Sequence, residues 1–142
     1  GRGNANPYEI RKELTDMMDS KAYVFRDEKG LTEALKRLRQ LETETWKHVD
    51  DQAKEYNTNF INVMELDSML RVAEVVLMGA FNRRESRGAH ARTDYQSRDD
   101  INFLKHTLAY FTTAEGGVAG GQPRMAWHPV TFTRYAPMER KY

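Results

Sequence analysis

The densest run of chemistry-bearing side chains is Arg83-Arg84-Glu85-Ser86-Arg87-Gly88-Ala89-His90-Ala91-Arg92-Thr93-Asp94-Tyr95, with Arg98-Asp99-Asp100 close behind. Guanidinium groups bind carboxylates and phosphates in a planar, two-pronged fashion, glycine permits close backbone approach, and histidine titrates near neutrality. Such a run has the parts of an anion cradle. The same residues also suit a helix C-terminus, with bases against the negative end of its dipole and Gly88 near its close. The remaining arginines would then pair with Asp94, Asp99 and Asp100. Charge clusters more often pair internally or dock than catalyse, so the structural reading is preferred for the chain by itself.

Other chemistry is sparse. The four histidines, at 48, 90, 106 and 128, show neither H-x-x-x-H nor H-E-x-x-H spacing. His106 lies in an alternating stretch, where a satisfied structural histidine is the default. Gly116-Gly117-Val118-Ala119-Gly120-Gly121 lacks the Lys-Ser/Thr of a phosphate loop, and no G-x-G-x-x-G occurs. Ser86 and Ser97 lack a nucleophile elbow. Asp50-Asp51 and Asp99-Asp100 read as caps or solvated residues. With no cysteine, thiol nucleophiles, disulfides and cysteine-held metal centres are excluded. The methionines, among them Met17, Met18, Met64, Met69 and Met78, read as core filler.

Three helices must position these residues. Asn6-Pro7-Tyr8-Glu9 predicts a helix start with Asn6 as cap and Glu9 completing a capping box. Ile10, Leu14, Met17 and Met18 form its apolar stripe, and the helix is expected to end near Ser20. Residues 21–25 read as a packed, non-helical linker. A second helix is expected from Asp27 to about His48, with Leu31, Leu35, Leu38 and Leu41 inward and Gly30 a mild weakness. A polar loop, 49–57, follows. The third helix, from about Asn59 to Glu85, alternates three and four apart through Val63, Leu66, Leu70, Ala73, Leu77 and Ala80. That is the seam of an antiparallel bundle. Its wide apolar circumference calls for cover on more than one side. Residues 86–100 read as a loop. Phe103 to Thr113 and Met125 to Thr133 read as extended stretches joined by the glycine segment.

At 142 residues the chain fits one domain. The longest apolar stretch, Val75 to Phe81, is far short of the roughly 20 residues needed to cross a bilayer. No secretory signal opens the chain. The net charge of +1 hides an imbalance: residues 81–142 carry 10 Lys/Arg, eight of them Arg, against 6 Asp/Glu. An excess of that size is modest for a nucleic-acid binder.

The string Glu85-Ser86-Arg87-Gly88-Ala89-His90-Ala91-Arg92, with Asp94-Tyr95 and Arg98-Asp99-Asp100, resembles the C-terminal region of succinate dehydrogenase and fumarate reductase flavoprotein subunits. Glu65-Leu66-Asp67, Ala73-Glu74, Leu104-Lys105-His106-Thr107-Leu108, Asn6 to Arg11, Val24-Phe25-Arg26 and Met138 to Tyr142 extend the resemblance over nearly the whole chain. Gln96 departs from the family's usual Pro, and Phe103 from a common Trp.

The resemblance implies a mainly α fold: a three-helix, spectrin-repeat-like bundle with its Arg-rich loop over residues 1–100. A small C-terminal β-hairpin segment over 101–142 would pack on it, the whole being a fragment of a larger flavoprotein. It also implies a succinate dehydrogenase as the parent enzyme, oxidising succinate to fumarate with covalent FAD and passing electrons to an iron–sulfur subunit and on to quinone. No catalytic, cofactor-binding or metal residue is expected in this fragment, which is expected to be inactive alone. The partners implied are the FAD-binding and capping domains of the same polypeptide, an iron–sulfur subunit and, indirectly, membrane anchor subunits, with no nucleic acid. The implied location is peripheral, on the cytoplasmic side of the inner membrane. Arg84, Glu85, Ser86, Arg87, Gly88, His90, Arg92, Asp94, Arg98, Asp99 and Asp100 are expected to form the docking and structural network, with Arg84, Arg87, His90 and Arg92 as its contacts. The alternatives are a fumarate reductase rather than a dehydrogenase, and a stand-alone helical module binding anions or nucleic acid.

Overall fold

The computed structural model describes residues 6–45, 58–111 and 121–138. Its elements are α1 (Pro7–Lys21), β1 (Phe25–Arg26), α2 (Glu28–Thr45), α3 (Thr58–Asn82), β2 (Ala91–Arg92), β3 (Lys105–Tyr110) and β4 (Arg124–Pro129). They fall into two compact units, Gly1–Arg98 and Asp99–Tyr142. The expected end of α2 near His48, the 49–57 loop and most of the glycine connection lie outside the described residues.

In the first unit α1 begins as its sequence dictates. The Asn6 side chain accepts from the Tyr8 amide at 3.0 Å and Pro7 takes the first helical position. Glu9 does not close the box with a side-chain bond back to Asn6; its carboxylate lies in the first turn, where the dipole favours it. At α2 the cap is Asp27, whose Oδ1 accepts from the Gly30 amide at 2.6 Å. Gly30 is less a weakness than a fit, since a Cβ there would stand 3.1 Å from that oxygen.

The core runs along three stripes. Ile10 and Leu14 of α1 are buried, with Met17 and Met18 against them. In α3 all six seam residues are buried, from Val63 to Ala80. In α2 the buried set is Leu31, Ala34, Leu38 and Leu41, and Leu35 is only partly buried. At about 100° per residue, Ala34 lies roughly 20° from the centre of that stripe and Leu35 roughly 80°. Position therefore outweighs hydrophobicity. Met69 packs on the core as expected, but Met64 is exposed. On the outer side of α3, Ile61, Val72 and Val76 are also exposed.

Glu74 is an unforeseen feature of this seam. It is 3% exposed, and its Oε1 has no hydrogen-bond partner. Burial, and then the Glu42 carboxylate, push its carboxyl up, against Arg39 and Arg71. A folded value above the unfolded one means the native state binds this proton more tightly. The stabilisation is present below about pH 4.5 and is lost as pH rises through the folded value. Glu74→Gln is expected to flatten that fall and to raise stability at pH 7 by about 1 kcal/mol. Urea titrations from pH 4 to 8 measure it, and an unchanged slope refutes it.

The second unit is an antiparallel pair. Lys105 faces Pro129 and Tyr110 faces Arg124, with the register continuous between them. Phe103 and Trp127 meet edge to face at 5.9 Å, and the Lys105 ammonium lies 4.6 Å from the Trp127 ring centre. His106 sits opposite His128 on the strands and is exposed. Strand alternation turns it to the open face.

Candidate functional site

The arginine-rich run begins where α3 ends. That end comes at Asn82, three residues before the expected Glu85. The last carbonyls of a helix need donors from elsewhere. Here Arg92 supplies them: its Nη1 donates to the Ala80 and Phe81 carbonyls at 3.0 and 3.3 Å. Its Nε and Nη2 each donate to one Asp94 oxygen at 2.7 Å. The same carboxylate accepts from the Glu28 amide at 2.9 Å, at the first turn of α2. One two-pronged ion pair thus places a cation on the negative end of α3 and an anion on the positive end of α2.

The Arg92 side chain is fully buried, with the Tyr95 ring 5.0 Å from its guanidinium carbon. The hydrogen bonds from Arg92 hold the Asp94 carboxyl down to about 2, against a smaller opposing effect of burial. Asp94 in turn raises the Arg92 guanidinium above its ordinary value.

A second ion pair lies one turn upstream. Glu85 has no exposed side-chain surface; it accepts from Arg83 at 2.6 Å and from Nε and Nη2 of Arg87 at 2.9 and 3.1 Å. Ser86 is a stitch, not a nucleophile. Its hydroxyl donates to the Tyr95 carbonyl at 2.8 Å and accepts from the Arg92 amide at 2.8 Å. Arg87 and His90 exchange both backbone bonds around a tight turn, and Gly88 fills its left-handed position at φ 58°. Gly88 therefore belongs to this turn, not to a helix terminus. Arg84 is exposed.

The loop's far side meets the α1–α2 connection. Phe25–Arg26 pairs in parallel with Ala91–Arg92, a pairing that sequence reading missed because its strands are two residues long and 66 apart. Arg26 is the participant it overlooked. Its Nε donates to the Ala22 and Tyr23 carbonyls, and its Nη1 donates to His90 Nδ1 at 2.9 Å. His90 Nε2 lies 3.0 Å from the Arg83 carbonyl, so that nitrogen carries the proton. Burial lowers the His90 pKa; the hydrogen bond to the Arg83 carbonyl opposes this, and the charges of Arg26, Arg92 and Arg83 add to it, favouring the neutral ring. Asp99, in the second unit, caps its own turn by accepting from the Ile101 and Asn102 amides. Arg98 and Asp100 are half-buried, each at the edge of its own unit.

The arrangement binds itself and presents no general acid–base pair. Among the described residues no group of three or more His, Asp or Glu side chains could hold a metal ion. Nor do they suit a flavin dinucleotide: the parallel pair β1–β2 is two residues per strand and carries no glycine-rich turn into a helix. No helix among them is long and apolar enough to cross a membrane.

The family model described as "Fumarate reductase flavoprotein C-term" matches residues 11–142. The chain is 37% identical to the fumarate reductase flavoprotein subunit of Haemophilus influenzae, over 99% of this chain and 22% of that one. It is 38% identical to the succinate dehydrogenase flavoprotein subunit of Coxiella burnetii, over 75% of this chain and 18% of the other. In structure it resembles E. coli quinol fumarate reductase with a TM-score of 0.86 and 32% identity, over 96% of this chain and 23% of that one. The chain thus spans about a quarter or less of the length of these relatives. By sequence and by fold, it belongs to the fumarate reductase and succinate dehydrogenase flavoprotein family, whose C-terminal region it matches.

Proposed function

We propose that this chain is the C-terminal helical scaffold and docking unit of a flavoprotein subunit that interconverts succinate and fumarate. The observation that carries the reading is the charge network. Arg92–Asp94 and Arg83/Arg87–Glu85 are consumed in locking helix ends and loop into one rigid piece, which is the work of a buttress and not of a reaction centre. In this reading FAD, covalently held, and the substrate-binding groups belong to the remainder of the polypeptide. Electrons pass to an iron–sulfur subunit and then to quinone in a complex peripheral to the cytoplasmic face of the inner membrane. Relatives named as fumarate reductase subunits in several bacteria favour the reductase direction, and a dehydrogenase is the second reading.

The test is Arg87→Ala in the full-length subunit. Flavin content and co-purification of the iron–sulfur subunit are expected to fall several-fold, while Lys36→Ala, exposed on α2, leaves both unchanged. Assembly at the unsubstituted level in Arg87→Ala defeats the reading.

A further inference from the structure

Arg26 differs from the other inward-turned arginines of the first unit. It is half-buried, yet its contacts are the Ala22 and Tyr23 carbonyls and a neutral histidine ring. No carboxylate among the described residues reaches it, whereas Arg83, Arg87 and Arg92 each hold one. Arginine is seldom taken out of water without a counter-charge. Burial pulls its guanidinium below the ordinary value, as expected of a cation lacking an anion.

The three residues before it form an exposed run of large apolar side chains. Tyr23 is 70% exposed, Val24 39% and Phe25 74%. Aromatic side chains around an arginine are the composition enriched at protein interfaces and at their energetic centres. Beside Phe25 lies a depression of about 280 Å³, with Lys21, Asp27, Lys29 and Glu33 on its walls. The segment is held rigid: Arg26 is paired to β2, and its carbonyl accepts from the Thr93 amide at 2.8 Å. A preorganised surface loses little freedom on binding.

We propose that Tyr23–Arg26 is the docking epitope of this unit. It receives an acidic side chain framed by apolar groups from the remainder of the flavoprotein polypeptide. The inference rests on the scaffold reading above and moves the contact away from Arg87, His90 and Arg92. Those side chains are engaged within the unit: Arg87 with Glu85, Arg92 with Asp94 and the end of α3, and His90 with Arg26 of β1. The occupant is a protein carboxylate because the exposed aromatic run calls for apolar cover, which a free anion cannot provide. The matched relatives also continue for more than three times the length of this chain.

The experiment uses the full-length subunit and follows thermal unfolding by calorimetry. The unsubstituted subunit is expected to unfold its helical unit and its body in one coupled transition. Phe25→Ala removes an exposed ring, a change that by itself hardly alters the fold. It is expected to weaken docking about thirty-fold and to split off an earlier transition for the helical unit. Arg26→Gln should do the same, and Val72→Ala, which also removes an exposed apolar side chain, should not. A single transition retained in Phe25→Ala and Arg26→Gln overturns the epitope and leaves the scaffold reading standing. Two transitions in the unsubstituted subunit overturn both. A dimer of the subunit that Phe25→Ala dissolves assigns the surface to a second copy and overturns the proposal.

Discussion

Arg92→Ala is expected to lose about 3 kcal/mol of stability, a drop in melting temperature on the order of 10 °C for a chain of this size. The deletion leaves Asp94 without its cation and uncaps the Ala80 and Phe81 carbonyls at the end of α3. Asp94 retains some contact with water, which keeps the loss near the low end for a broken buried pair. Arg92→Lys should recover less than half. An ammonium group cannot donate in one plane to two carboxylate oxygens and to a carbonyl on the other side.

The pair also predicts an acid limb. Its carboxyl, held at about 2 in the folded state against 3.8 unfolded, contributes stability that is complete above the unfolded value. That contribution drains away as pH falls from about 4 to 2, and Asp94→Asn should abolish the limb. Far-UV circular dichroism against temperature and pH measures both effects. Melting of Arg92→Ala within about 2 °C of the unsubstituted protein would sink the clasp.

Glu85→Ala is expected to be at least as damaging, at about 4 kcal/mol. Its carboxylate is shut away from water and takes three donated bonds from Arg83 and Arg87. Removing it leaves two mostly enclosed guanidinium groups without that charge, and a void beside them. Glu85→Gln is the informative companion, because it preserves the volume. The amide nitrogen turns a donor toward donors, so about 3 kcal/mol should still be lost. Full recovery in Glu85→Gln would show that Glu85 matters for its shape alone.

Much of the scaffold was legible because local rules and tertiary demands coincide there. The seam from Val63 to Ala80 is long enough that its three–four alternation admits one reading, and all six residues are buried. Pro7 after Asn6 marks a helix start that nothing downstream can alter. Errors gathered where a distant partner decides. Hydrophobicity alone favours Leu35 over Ala34, although the angular position on α2 buries Ala34 instead. No breaker precedes Glu85, so the sequence carries α3 that far; at Asn82 the helix meets a guanidinium arriving from ten residues farther on.

The candidate site divides along the same line. Its residue types, their order and the family they mark were readable from Glu85 to Asp94 alone. Their roles were not. Ser86 as a stitch and Gly88 as a turn depend on how residues 86–95 fold back on one another, and His90 as a neutral prop for Arg26, like Arg26 itself, on the parallel pairing of residues 25–26 with 91–92.

What the one-dimensional order determined, then, was the helix count, the core stripes, the strand pair and the lineage, since each is written in periodicity or in a contiguous string. What only the folded chain decided was which charges cancel one another and which, at Arg26, meets no carboxylate among the described residues. Ion pairing is a matter of a few ångströms between side chains. Those few ångströms depend on where the loop after α3 is held, by the end of α3, the start of α2 and residues 25–26, and sequence spacing does not show that.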